Sequence, residues 1–250
     1  MEWRDDAIIL NVRRHGENAA VLSVLTRDHG RYGGLVRGGQ SRRLKGVLQP
    51  GNCIAAHWRA RLEEHLGTMT VEPVTSHAAG LMLDPGRLAA LSSALAVVEA
   101  GLPEREAHPE VFQDLAALLV ALESDSWAET YVRWEVSVLA DLGFGLDLSA
   151  CAATGVTEDL VFVSPRTGRA VSREAGRPYQ ERLLPLPAFL AAPLSESVAG
   201  GRRRASAEEL GAALALTGHF LARHIFAPHG RPPPDARARL ANRFRREAAA

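Results

Sequence analysis

Between Arg31 and Arg61 the chain carries seven cations, Arg31, Arg37, Arg42, Arg43, Lys45, Arg59 and Arg61, and no Asp or Glu, although its 29 basic and 29 acidic residues cancel overall. Like charges without a counter-ion repel one another, so a window of one sign needs a partner of the other. Cations on a glycine-rich turn between strands suit a polyanion that is held rather than cut, each reaching a phosphate. The alternative is a solvated loop whose charges only keep the protein in water. Tyr32 and Trp58 stand beside arginines in this window. In a nucleic-acid groove such rings stack on bases; in a strand they also serve as core or rim.

Other chemistry finds little support. Gly33 and Gly38 are separated by the four residues of a phosphate loop. Gly39 nevertheless stands where that loop needs lysine, and Gln40 where it needs Ser or Thr. Neither a Gly-x-Ser-x-Gly elbow nor a His-Glu-x-x-His helix occurs. The two cysteines, Cys53 and Cys151, supply no disulfide framework and fit a reducing compartment, with Cys53 read as a small buried apolar residue. A strand after the turn at Cys151 has the outline of a zinc ribbon, but this region offers one cysteine and no histidine toward a tetrahedral ligand set. His219, His224 and His229 recur every fifth residue, which places no pair on one helical face at ligand spacing. We expect no metal, no cofactor and no catalytic residue: a binding protein rather than an enzyme.

At 250 residues and 46% hydrophobic content the chain can bury a real core, in one large or two modest domains. It opens Met-Glu-Trp-Arg-Asp-Asp, unlike a signal peptide, and no apolar run approaches the roughly 20 residues of a membrane span. A cytoplasmic protein is expected. Charge is segregated: residues 1–80 hold 11 basic against 8 acidic residues, 81–150 hold 3 against 12, and 151–250 hold 15 against 9. The acidic middle is either solvated helix surface or a face for a different partner than the basic ends serve.

Strands are expected at residues 6–15, 19–26, 31–37, 53–61 and 68–74, with glycine turns between most of them and a short segment at 41–48. Five short strands with one longer connection describe a small closed antiparallel barrel, the strand number of the oligonucleotide-binding (OB) fold. Gly80 and the Asp84-Pro85-Gly86 turn place a domain boundary near residue 80. Beyond it, helical spacing covers 88–102, 109–122 and 126–142, with Pro109 suited to a first turn and Ser126 to an N-cap. Residues 148–182 read as a strand-and-turn insert lacking zinc ligands. A proline-punctuated apolar run (183–194) and a loop (196–204) follow, then a long helix from Ser206 through Ile225. Residues 231–250 read as a flexible basic tail or short helix, a further possible phosphate contact. The expected fold is α+β and multidomain: an OB barrel over 1–80, then a mainly helical domain over 81–250 with a degenerate zinc-ribbon-like insert.

These residues together resemble the RecO family of bacterial DNA repair and recombination mediators. The resemblance is carried by Trp3 to Leu10 (Trp-Arg-Asp-Asp-Ala-Ile-Ile-Leu), Arg14-His-Gly-Glu17, Leu25 to Gly30, Val36-Arg-Gly-Gly39, Leu48-Gln-Pro50, Leu139 to Phe144 and Val163 to Val171. It runs in order over almost the whole chain. It implies binding of single- and double-stranded DNA, strand annealing, and RecA loading on DNA coated by single-strand-binding protein through the RecF pathway. Implied partners are RecR, RecF pathway proteins and the C-terminal tail of single-strand-binding protein, with RecA indirect, no membrane, and a cytoplasmic, nucleoid-associated location. The family's four-cysteine zinc site is not matched here, so the chain resembles a zinc-free variant. DNA contact carries over to Arg37, Arg42, Arg43 and Lys45; Arg13, Arg14, Arg31, Tyr32, Trp58, Arg59 and Arg61 complete the expected DNA-binding set. A non-catalytic adaptor whose barrel binds a protein is the alternative, and an unrecognised hydrolase a weaker one.

Overall fold

Apolar residues alternating with polar ones at the start of the chain become five strands: β1 (Glu2–His15), β2 (Ala19–Thr26), β3 (Gly30–Val36), β4 (Cys53–Arg59) and β5 (Thr68–Thr75). They close into a barrel in the order β1-β2-β3-β5-β4. The structure, a computed structural model, describes residues 1–191 and 204–249 in two compact units, Met1–Asp125 and Ser126–Ala250.

Closure depends on β1. Its first half pairs with β4, from Glu2 opposite Arg59 to Ile8 opposite Cys53. The second half pairs with β2, from Ala7 opposite Thr26 to His15 opposite Ala19, across an irregularity between Ile9 and Asn11. The expected strand began at residue 6; it begins at Glu2 because Arg4, Asp5 and Asp6 hide a ladder that apolar content alone does not reveal. Parallel contact of Leu35 with Thr68 closes β3 onto β5. A Cβ on Gly34 would lie 2.8 Å from Cβ of Met69, so this seam requires glycine. The interior is filled by residues of every strand, among them Ile9, Leu22, Val24, Val36, Ile54, Trp58 and Met69.

Strands end at Thr75, close to the expected boundary, but the first compact unit continues to Asp125. After the short helices α1 (Arg42–Lys45) and α2 (Ala78–Leu81) come α3 (Pro85–Gly101) and α4 (Pro109–Ala121). α3 packs against β1. Asn11 donates to Glu99 at 3.2 Å, and Arg31 reaches Glu104 at 3.1 Å, tying the helix and the turn beyond it to the barrel. Asp84 caps α3 by accepting from the Gly86 and Arg87 N–H groups at 2.8 and 3.1 Å.

In the second unit α5 (Trp127–Asp141) is followed by a three-stranded sheet of β6 (Leu160–Val163), β7 (Ala170–Ser172) and β8 (Leu184–Pro185), in the order β7-β6-β8. Short helices α6 (Arg173–Gly176) and α7 (Ala188–Ala191) flank it. Ser126 precedes α5 without a side-chain cap, whereas Ser206 and Glu209 form a full capping box on α8 (Ala207–Phe220). A π-helical turn (Leu221–Phe226) extends α8. The loop expected at 196–204 lies, Arg204 apart, outside the described residues.

Of the two readings of residues 231–250, a flexible tail or a short helix, the helix is the one found: Asp235–Ala248 forms α9, packed on α8. Arg237, only 5% exposed, makes two bonds to the fully buried Glu135, at 2.8 and 2.9 Å, and donates to the Leu214 carbonyl at 2.8 Å. Tyr131 donates to Glu135 at 2.8 Å and Thr217 at 2.5 Å, so the carboxylate is satisfied from all sides. Burial works against the Arg237 charge, but the carboxylate beside it outweighs that and raises its pKa. A Cβ on Gly218 would lie 2.6 Å from the guanidinium, so this glycine admits the arginine. Among the described residues one helical run, Ala207–His229, is long and apolar enough by composition to cross a membrane; the sequence reading expected none, and half of this one is buried in protein.

Candidate nucleic-acid interface

The one-turn helix α1 distributes three cations in three directions. Ser41 caps it, accepting from the Leu44 N–H at 3.4 Å. With about 100° between successive residues, turning Leu44 inward sends Arg42 outward and puts Arg43 and Lys45 on opposite flanks. Leu44 is 7% exposed, and Arg42, Arg43 and Lys45 are exposed.

Three amide side chains hold this helix and its neighbours. Asn52, 3% exposed, donates to the Gly46 and Val47 carbonyls at 3.1 Å each and accepts from the Ala78 N–H at 3.3 Å. Gln49 donates to the Lys45 carbonyl at 2.7 Å. Gln40 donates to the Gly16 and Ala19 carbonyls at 3.0 Å each and accepts from Arg14 Nε at 2.7 Å, which fixes the direction of that guanidinium. None of the three was read as holding this helix, because an isolated amide beside a turn leaves no distinctive pattern; only Asn52, directly after Pro50-Gly51, stood at a position that turn chemistry marks.

A cleft opens on each side of α1. One, of about 400 Å³, is lined by Arg37, Arg43 and Arg59 with residues of β3 and β5. The other, of about 320 Å³, is lined by Arg14, Gln40 and Lys45 with Val12, Leu48 and Gln49. Arg37, Arg42, Arg43, Lys45 and Arg61 are exposed and, among the described residues, pair with no carboxylate. Among the described residues, then, no ion pair offsets the repulsion within this group. Arg61, past the end of β4, lines neither cleft.

The remaining expected contacts fare differently. Arg31 is corrected: its side chain, 16% exposed, is held by Glu104 and by the Leu102 carbonyl at 3.1 Å. Arg13 is exposed but faces Glu99 at 4.0 Å, away from α1. Arg59 is 65% exposed and meets Glu2 at 3.2 Å. A hydrogen bond from His57, with Arg59 and Arg4 nearby, holds the Glu2 carboxyl below its ordinary value.

Base stacking by Tyr32 and Trp58 is also corrected. They are 5% and 1% exposed, with ring centres 5.2 Å apart, and Trp3 stacks on Trp58 at 5.8 Å. Trp58 Nε1 donates to the Leu66 carbonyl at 2.9 Å. These rings plug the barrel, and alternation along β3 and β4 points them inward, opposite the arginines beside them.

In the second unit the Cys151 sulfur accepts from the Ser172 N–H at 3.3 Å. Burial pushes its thiol up, but bonds from Ser172 and Thr154 outweigh this and bring it down to about 6. His219 Nε2 lies 3.1 Å from the Pro165 carbonyl, and His224 stacks on Phe144 at 4.8 Å. Among the described residues, no group of three or more His, Cys, Asp or Glu is placed to hold a metal ion.

A five-stranded barrel closed in this order defines the class of OB-fold proteins, and here exposed cations stand on and around α1. The "Recombination protein O N terminal" family model matches residues 1–77, and its C-terminal counterpart matches residues 82–233. A DNA repair protein RecO of Rhodospirillum centenum is 56% identical over 248 residues, 98% of this chain and 96% of the relative. Those of Phenylobacterium zucineum and Caulobacter vibrioides are 52% and 49% identical over 245 residues, 98% of each chain. The chain belongs to the RecO family.

Proposed function

We propose that this protein is a DNA-binding mediator of DNA repair and recombination that holds phosphate backbones on the ridge formed by α1 and its two clefts. The observation that carries this reading is the set of exposed cations, Arg37, Arg42, Arg43 and Lys45, on and around one helix, which pair with no carboxylate among the described residues. Phosphates supply the missing counter-charge, and release of their condensed ions drives association. Contacts of this kind position a strand without reading its bases, so single- and double-stranded DNA both serve as ligands. Neutralising the repulsion between complementary strands promotes annealing, a step that breaks and makes no covalent bond. Family membership and the relatives' name, DNA repair protein, support placing this step in the RecF pathway. There the protein works with RecR and the tail of single-strand-binding protein to load RecA, at the nucleoid.

Fluorescence anisotropy of a labelled single-stranded oligonucleotide, titrated at several salt concentrations, tests the reading. Micromolar or tighter binding that weakens steeply with salt is expected, together with its loss in the Arg42→Ala, Arg43→Ala, Lys45→Ala triple variant. No binding at low salt overturns it in favour of a protein-binding adaptor, and a triple variant equal to wild type overturns the placement of DNA on α1.

A further inference from the structure

We propose that the cleft of Arg14, Gln40 and Lys45 is a second phosphate-binding track, separate from the groove of Arg37, Arg43 and Arg59, so that one barrel carries two nucleic-acid strands with α1 between them. The inference rests on the DNA-binding reading above and adds to it a division of labour.

Three observations carry it. Side-chain directions on a one-turn helix with Leu44 turned inward put Arg43 and Lys45 on opposite flanks, and each lines its own cleft. The two clefts have no lining residue in common, and both have room for backbone phosphates, at about 400 and about 320 Å³. The second cleft is also built rather than incidental. Gln40 is anchored through its amide nitrogen to two backbone carbonyls and takes Arg14 Nε on its oxygen, leaving the terminal nitrogens of the guanidinium for a ligand. Gln49 likewise fixes the backbone from which Lys45 projects. Arg42, at the crest, lies between the tracks and screens one strand from the other. Two backbones on opposite sides of a cationic ridge are held near each other while their bases remain free to pair.

The test counts strands. A labelled single strand of about eight nucleotides, within the site size of one such barrel, is titrated with the full-length protein, and the molar ratio per protomer is read by native mass spectrometry alongside anisotropy. Wild type is expected to take two strands. The Arg14→Ala/Lys45→Ala and Arg37→Ala/Arg43→Ala variants each take one, with the affinity and salt slope of the remaining site unchanged. Gln40→Ala keeps every charge but frees Arg14, and is expected to weaken only the second strand, by about tenfold. One strand per protomer in wild type, or both double variants weakening a single binding event, overturns the two-track assignment while leaving the DNA-binding reading intact. Absence of all binding overturns that reading and the two-track assignment with it.

Discussion

At the residue scale the same side-chain type serves opposite ends depending on what faces it. Arg237 and Arg42 are both arginines, yet Arg237 is spent on Glu135 inside the second unit, whereas Arg42 meets no carboxylate among the described residues. Breaking the buried pair leaves a charge without a partner, so Arg237→Ala or Glu135→Ala should destabilise by about 3–5 kcal/mol in denaturant titration. Neutralising Arg42 should leave stability within about 0.5 kcal/mol. Glu2 pairs with Arg59, so on the proposed DNA-binding reading Glu2→Gln should raise DNA affinity by at most about fivefold, most visibly at low salt, in anisotropy titrations. Individual roles were the least legible part of the sequence. Tyr32, Trp58 and Arg31 sit among the exposed cations in the chain, but strand alternation turns the rings inward, and the turn after α3, some 70 residues later, supplies the acid that claims Arg31. No local pattern announces a partner so distant.

Elements were far more legible, because period and punctuation act locally. All five barrel strands, α3, α4, α5 and α8 follow from spacing with ends displaced by a few residues, and the Ser206 capping box is visible in the chain as Ser-Ala-Glu-Glu. What escaped were elements whose stability comes from tertiary contact. The start of β1 is polar and is held by β4, and for α9 the sequence left tail or short helix open until burial of Leu240, Phe244 and Arg237 decided it. Helix α3 depends on its cap. Slight burial of the Asp84 carboxyl works to raise its pKa, but the Arg87 and Gly86 N–H groups, with the Arg87 guanidinium, hold it below the ordinary 3.8. Its contribution is therefore complete above that value and is lost as pH falls through the lowered one. Asp84→Ala should cost about 1 kcal/mol at neutral pH, a gap from wild type that closes in acid, as followed by thermal melts across pH.

At the scale of the molecule, overall neutrality conceals a division of charge between segments, and the fold turns that division into a surface. The basic window of the sequence does not act as one patch: Arg31 is withdrawn into an ion pair, Arg59 is shared with Glu2, and what remains is concentrated on α1 and the strand ends beside it. In the proposed function DNA is held there. Hydrogen exchange of the full-length protein, with and without a saturating single-stranded oligonucleotide, tests it most directly. Amides of residues 37–49 and of the turn at 14–19 should slow on adding DNA, while those around Glu135 and Arg237 should not change. Protection confined to the second unit, or none under conditions where binding is saturated, would contradict the claim.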